Sequence, residues 1–186
     1  MEDYIGTSTP PLPLPPILCY THRMKRLLSV LYLTIAVFLG SAGMSWGADF
    51  QKGFDAAQRG DYATALREFR PFAEQGNARA QYNLGVMYAN GQGVSKNNKT
   101  ALKWYRLAAE QGVTRAQTNL GFMYGNGHGV PQDNVLAHMW YNIAASSGDK
   151  VASKNRDIVA KRMNSNQIIT AQKLARKCVR KKYKGC

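Results

Sequence analysis

The sequence predicts an all-α fold built as a stack of paired helices, and three observations predict it. First, Ala80-Gln-Tyr-Asn-Leu-Gly-Val-Met-Tyr-Ala-Asn-Gly-Gln-Gly-Val94 returns as Ala116-Gln-Thr-Asn-Leu-Gly-Phe-Met-Tyr-Gly-Asn-Gly-His-Gly-Val130, a spacing of 36 residues. The register continues, with Ala101, Trp104, Tyr105, Ala108, Ala109 and Gly112 recurring as Ala137, Trp140, Tyr141, Ala144, Ala145 and Gly148. Second, the apolar residues inside each period follow helical spacing. Third, one glycine-rich break divides each period in two. A fixed period of this length marks units that bury their apolar faces only against their neighbours.

Taken in order, the front of the chain reads as a leader. Met24-Lys25-Arg26 precedes an uncharged stretch whose most apolar part runs from Leu27 to Gly40, and the small residues Ser41, Ala42 and Gly43 follow. That is the pattern of a secretory signal. Ser45 and Gly47 place small residues for cleavage before Ala48, so residues 24–47 are expected to be removed and the product to be periplasmic or secreted. Residues 1–23 fit no leader and hold five of the seven prolines, so translation is expected to begin at Met24, the alternative being that they are an upstream extension. The alternative is an uncleaved inner-membrane anchor, because Leu27 to Ala48 carries no charge and can just span a bilayer.

Residues 48–76 form the first expected helix pair, a capping repeat. It is in register over its second helix only: Ala65, Phe69, Ala73 and Gly76 lie 36 before Ala101, Tyr105, Ala109 and Gly112. The connection Arg59-Gly-Asp61 is some five residues shorter than the later loops, and Glu68 stands where Trp104 recurs. Residues 77–112 and 113–148 are the two full units. In the first, Ala80, Leu84, Met87 and Tyr88 share one helical face, and Ala101, Trp104, Tyr105 and Ala108 share another. Asn90-Gly-Gln-Gly-Val94 and Asn126-Gly-His-Gly-Val130 end the first helices at residues that accept positive φ. Asn97 and Asp133 then stand where a short side chain caps the second helix. Gly85 and Gly121 sit inside a helix, at a cost of about 1 kcal/mol relative to Ala, which a close approach by a neighbouring helix explains.

These motifs resemble the Sel1-like repeats, relatives of the tetratricopeptide repeats. The resemblance rests on the Ala-x-x-x-Leu-Gly-x-x-Tyr of 80–88 and 116–124, the Gly-x-Gly-Val loops, and the Ala-x-x-Trp-Tyr-x-x-Ala-Ala-x-x-Gly of 101–112 and 137–148. It implies an α-solenoid that scaffolds complexes or docks peptides, with no catalytic residues to carry over. Some secreted relatives with paired cysteines in every repeat are associated with penicillin binding or hydrolysis. The repeats here hold no cysteine, which speaks against a β-lactam-binding hydrolase.

Residues 149–186 are expected to close the stack as a helical cap. Ala152 falls where a third unit begins, but no glycine loop follows. Two helices are expected instead, about 152–163 and 166–182, with Asn164-Ser165-Asn166 as turn and cap. Cys178 and Cys186 are the two cysteines left after export, and an even count in an exported chain points to a disulfide. An intermolecular bridge or two free thiols are the alternatives.

The whole chain carries a net charge of +14. Lys173, Arg176, Lys177, Arg180, Lys181, Lys182 and Lys184 meet no acid after Asp157. Lys177, Arg180, Lys181, Lys182 and Lys184 form a candidate site for a polyanion such as an anionic envelope surface; export argues against nucleic acid. No nucleophile stands beside a His and acid, and the loop of Gly125 to Gly129 lacks the lysine of a phosphate loop. His128 and His138 have no cysteine or carboxylate cluster at ligand spacing, so no metal or cofactor is expected. The chain reads as a binding protein and not an enzyme. The candidate partner surface is the first-helix face that packing leaves unexplained: Arg79, Tyr82, Asn83 and Val86, repeated as Arg115, Thr118, Asn119 and Phe122. Asn offers donor and acceptor and Arg binds carboxylates, which suits an extended, partly acidic peptide or protein segment. The loop glycines and histidines are expected to lie outside this site.

Overall fold

In the computed structural model, which describes residues 50–186, each unit is a helix pair whose ends are set by local chemistry. The helices are α1 (residues 50–58), α2 (Tyr62–Glu74), α3 (Ala78–Asn90), α4 (Asn98–Ala109), α5 (Thr114–Asn126), α6 (Asn134–Ser146), α7 (Lys150–Ala160) and α8 (Ser165–Arg180). There are no strands among the described residues. The leader, its cleavage site, the anchor alternative and the reading of residues 1–23 lie outside the described residues.

The two full repeats close as expected. The side chain of Asn97 accepts from Thr100 N and that of Asp133 from Leu136 N, capping α4 and α6. Gly91 and Gly127 end α3 and α5 in the left-handed conformation. Consecutive helices from α2 to α7 pack on one another. Gly85 lies under the ring of Tyr105, where an added Cβ would stand 2.5 Å from Cδ1, and Gly121 lies under Tyr141 at 2.6 Å. Gly53 repeats this contact beneath Phe69. Matching Gly53 to Gly85 brings α1 into register with α3 and shows its connection to be four residues shorter, not five.

Stacking between units uses a second glycine. Gly93 and Gly129 have positive φ, and a Cβ on either would stand 2.6 Å from backbone atoms of Tyr62 and Asn98, the first residues of α2 and α4. Each loop therefore seats its backbone on the start of the preceding unit's second helix. A buried amide completes the joint: Gln81 Nε2 donates to Ala73 O, and Gln117 Nε2 to Ala109 O. The Gln81 carbonyl accepts from Gln111 Nε2. That of Gln117 has no partner, because the residue 36 after Gln111 is the short Ser147.

The core falls into two clusters. One joins α1, α2 and α3 through Ala56, Phe69, Phe72, Leu84 and Met87. The other runs from Tyr105 through Leu120, Met123, Trp140 and Ile143 to Cys178. Both belong to the compact unit Gly47–Cys186. At the end of the stack α7 packs on α6 as a fourth first helix, but α8 turns onto α6.

Candidate functional site on the first helices

Four clefts follow one another along α1, α3, α5 and α7. The first, about 400 Å³, lies between α1 and α3 and is lined by Phe50, Gln51, Phe54, Arg79, Tyr82, Asn83 and Arg115. Phe54 and Asn83 also line an adjoining hollow of about 260 Å³ with Val86. Tyr82 and Val86 pass into the next cleft, about 470 Å³, whose far wall is Asn119, Phe122 and Met123 of α5. Phe122 then begins the last, about 200 Å³, with Tyr141, Asn155, Ile158 and Arg162. Shared walls make the four a continuous row.

The row holds a repeated pair of side chains. With Gly53 matched to Gly85, Gln51, Asn83, Asn119 and Asn155 occupy one position on four successive first helices, and Phe54, Val86, Phe122 and Ile158 occupy another three residues on. One ladder is carboxamide. The other is apolar, with Phe54 43%, Phe122 48% and Ile158 42% exposed. Two of the four amides meet a buried tyrosine hydroxyl. Burial raises the pKa of the Tyr105 hydroxyl, with the nearby Tyr82 adding to the shift and Asn119 hydrogen-bonding in the opposite sense. Tyr141 is pushed up to about 12 by burial and meets Asn155 in the same way. Phe69 holds the equivalent place beside Asn83 and has no hydroxyl.

Charge in the row has one sign. Arg79, Arg115, Lys96 and Arg162 line it, and no Asp or Glu does. Arg115 nonetheless feels a carboxylate nearby. Asp149 accepts from Ala152 N and from the Thr118 hydroxyl at 2.9 Å. The backbone hydrogen bond, then Thr118 and the Arg115 charge, hold its carboxyl below the usual range against some desolvation.

Of the eight residues expected on this face, seven line the row. Thr118 does not. Its hydroxyl, with a single proton to give, stands 2.9 Å from Asp149 Oδ2 and 3.1 Å from Thr114 O, and donation to Asp149 ties α5 to the cap of α7. His128, expected outside the site, stands at its edge, with its ring centroid 5.3 Å from that of Phe122. Gln51, Phe54, Asn155 and Ile158 escaped the sequence reading. The last two are found by adding the period to Asn119 and Phe122, whereas the first two need the Gly53 match.

Elsewhere, Trp140 is buried and Trp104 packs half-buried against the first cluster, both as core. Lys177, Arg180, Lys181, Lys182 and Lys184 are exposed on α8 and the tail beyond it. The Cys178 and Cys186 sulfurs stand at bonding distance, with Cα atoms 5.6 Å apart.

Comparison with known proteins agrees with this architecture. The Sel1 repeat model matches residues 78–113 and 114–149. A crystal structure of a protective antigen present in uropathogenic Escherichia coli strains, displaying an SLR fold, is 32% identical over 74% of this chain and 30% of that chain, with a TM-score of 0.70. A Sel1 repeat protein from Oxalobacter formigenes is 35% identical over 62% of this chain and 49% of that one, with a TM-score of 0.54. The chain thus spans about a third of the first and half of the second. No curated protein matches.

Proposed function

We propose, from the premise that this chain is a Sel1-repeat protein, that it is an exported scaffold holding an extended, acidic segment of a partner protein along its first helices. Sel1 repeats generally mediate protein–protein interaction. The observation that carries the finer reading is the double ladder: a carboxamide and an apolar side chain return at each first helix, in a row lined by four cations and no carboxylate. A carboxamide can satisfy the N–H and C=O of an extended backbone together. Apolar rungs take alternate side chains, and arginine takes carboxylates. Export rests on the leader pattern of residues 24–47 and suits a paired Cys178 and Cys186.

Selection from a displayed library of short linear peptides tests the site. Enriched sequences are expected to be acidic with spaced apolar residues. Asn83→Ala with Asn119→Ala should weaken the best of them about ten-fold or more by removing two hydrogen-bonding groups, and each of Arg79→Ala and Arg115→Ala should cost about 1.5–3 kcal/mol of binding. Enrichment of basic peptides, or undiminished binding by the four-site variant with its helicity intact, would reject the assignment. N-terminal sequencing of native protein tests export separately: a first residue near Ala48 is expected, and an intact chain in the membrane fraction would favour the anchor.

A further inference from the structure

We infer that the outward face of α8 and the tail beyond it form a docking surface for an anionic phospholipid membrane. α8 buries Ala171, Ala175 and Cys178 and packs on α6, the second helix of the last full repeat. On its opposite side Ile169, Lys173, Arg176 and Arg180 follow one another at helical spacing, a single stripe that packing does not use. Lys177 flanks the stripe on one edge and Val179 on the other.

The tail folds back at the helix end instead of trailing from it. Lys182 N donates to Val179 O and Tyr183 N to Cys178 O, so the backbone turns back over the helix end. Tyr183 seats its ring by Gly112 in the turn between α4 and α5, where an added Cβ would touch the ring at 3.4 Å. With Cys186 joined to Cys178, the exposed Lys181, Lys182 and Lys184 are confined to the end of α8 at which Arg180 stands.

A plain solvated cap does not explain the arrangement. Favourable contact with the helix C-terminal dipole accounts for Lys177 and Arg180 in the last turn. It does not account for Lys173 and Arg176 in the body of the helix, where each like-charged neighbour three or four residues away opposes folding. None of the seven cations from Lys173 to Lys184 joins an ion pair among the described residues, whose three pairs lie elsewhere. A bilayer with acidic headgroups supplies the counter-charge.

Two aliphatic side chains favour lipid over other polyanions. Ile169 is 59% exposed at the N-terminal end of the stripe and Val179 is 46% exposed at its edge. A phosphate chain offers them nothing, whereas the boundary between headgroups and acyl chains takes them out of water.

The test uses residues 47–186, the compact unit that holds both core clusters, so that the apolar segment ahead of it contributes nothing. Sedimentation with vesicles of equimolar phosphatidylglycerol and phosphatidylcholine is expected, and none with phosphatidylcholine alone. Each of Lys173→Gln, Arg176→Gln, Arg180→Gln and Lys181→Gln should weaken partitioning about five-fold, and added salt should abolish it. Ile169→Asn should weaken vesicle binding several-fold while leaving adsorption to inorganic polyphosphate unchanged. Equal sedimentation with neutral vesicles, or unchanged sedimentation of the four-site variant, would overturn the inference. So would an Ile169→Asn protein that binds both probes like wild type, which would mark a general polyanion surface.

Discussion

Tyr105 and Tyr141 are held against glycine, and that contact decides what a methyl group would do there. Alanine normally gains about 1 kcal/mol over glycine inside a helix. Here the new Cβ meets buried ring atoms that cannot swing aside, and overpacking of a core costs about 1–3 kcal/mol. Gly121→Ala is therefore expected to lower the melting temperature, and a rise would show slack beneath the ring. His138 makes a second prediction. It is buried, and its Nδ1 has no partner. Burial and then the charge of Arg156 lower its pKa from 6.5, against a smaller opposing pull from Asp157. The unfolded chain thus takes up a proton that the folded one resists. Stability should be full above that ordinary value, fall as pH drops through it, and level off only below the depressed pKa. Urea midpoints measured from neutral pH to about pH 5 should fall for wild type and stay flatter for His138→Gln. Both glycines and the buried role of Trp140 were legible in the sequence from their recurrence. The turning of Thr118 to Asp149 was not, because Tyr82 at the equivalent place gives no hint of a contact reaching 31 residues ahead.

At the scale of the element, α7 and α8 show where periodicity stops informing. The α7 expected from about residue 152 begins at Lys150, since Asp149 caps it by accepting from Ala152 N. α8 was foreseen in its start, where Asn164 and Gln167 form a capping box. It ends at Arg180, short of 182, because Lys182 and Tyr183 take positive φ as the tail folds back. That α8 packs on α6 was not legible, since a helix face shows that it is apolar and not which neighbour covers it. Removing the Asp149 cap by Asp149→Ala should cost about 1 kcal/mol of stability. Cys178→Ser should cost about 2.5 kcal/mol by the loop entropy it restores to the unfolded chain. Thermal melts with and without reductant check this, and identical curves would show that no stabilising bridge forms.

Across the whole molecule, contacts run between neighbours along the stack, so opening is expected to start at an end and not everywhere together. The cluster of α1, α2 and α3 is the smaller of the two and, among the described residues, has neighbours only on one side. Native-state hydrogen exchange should show amides of α2 opening at lower free energy than those of α5 and α6, and uniform protection would contradict it. The stacked architecture was readable from the 36-residue period alone, while the length of the cleft row was not, because α1 hides behind its shortened connection. The joints themselves carry one more implication. Gly93 on Tyr62 and Gly129 on Asn98 are meetings of main chain with main chain, indifferent to which side chains line the clefts. The units are accordingly interchangeable parts: inserting one further 36-residue copy after Val113 should extend the row by a cleft without redesign of its neighbours. For inheritance this separates two kinds of variation, since duplication can change how long a partner segment is gripped while point mutation changes what is gripped.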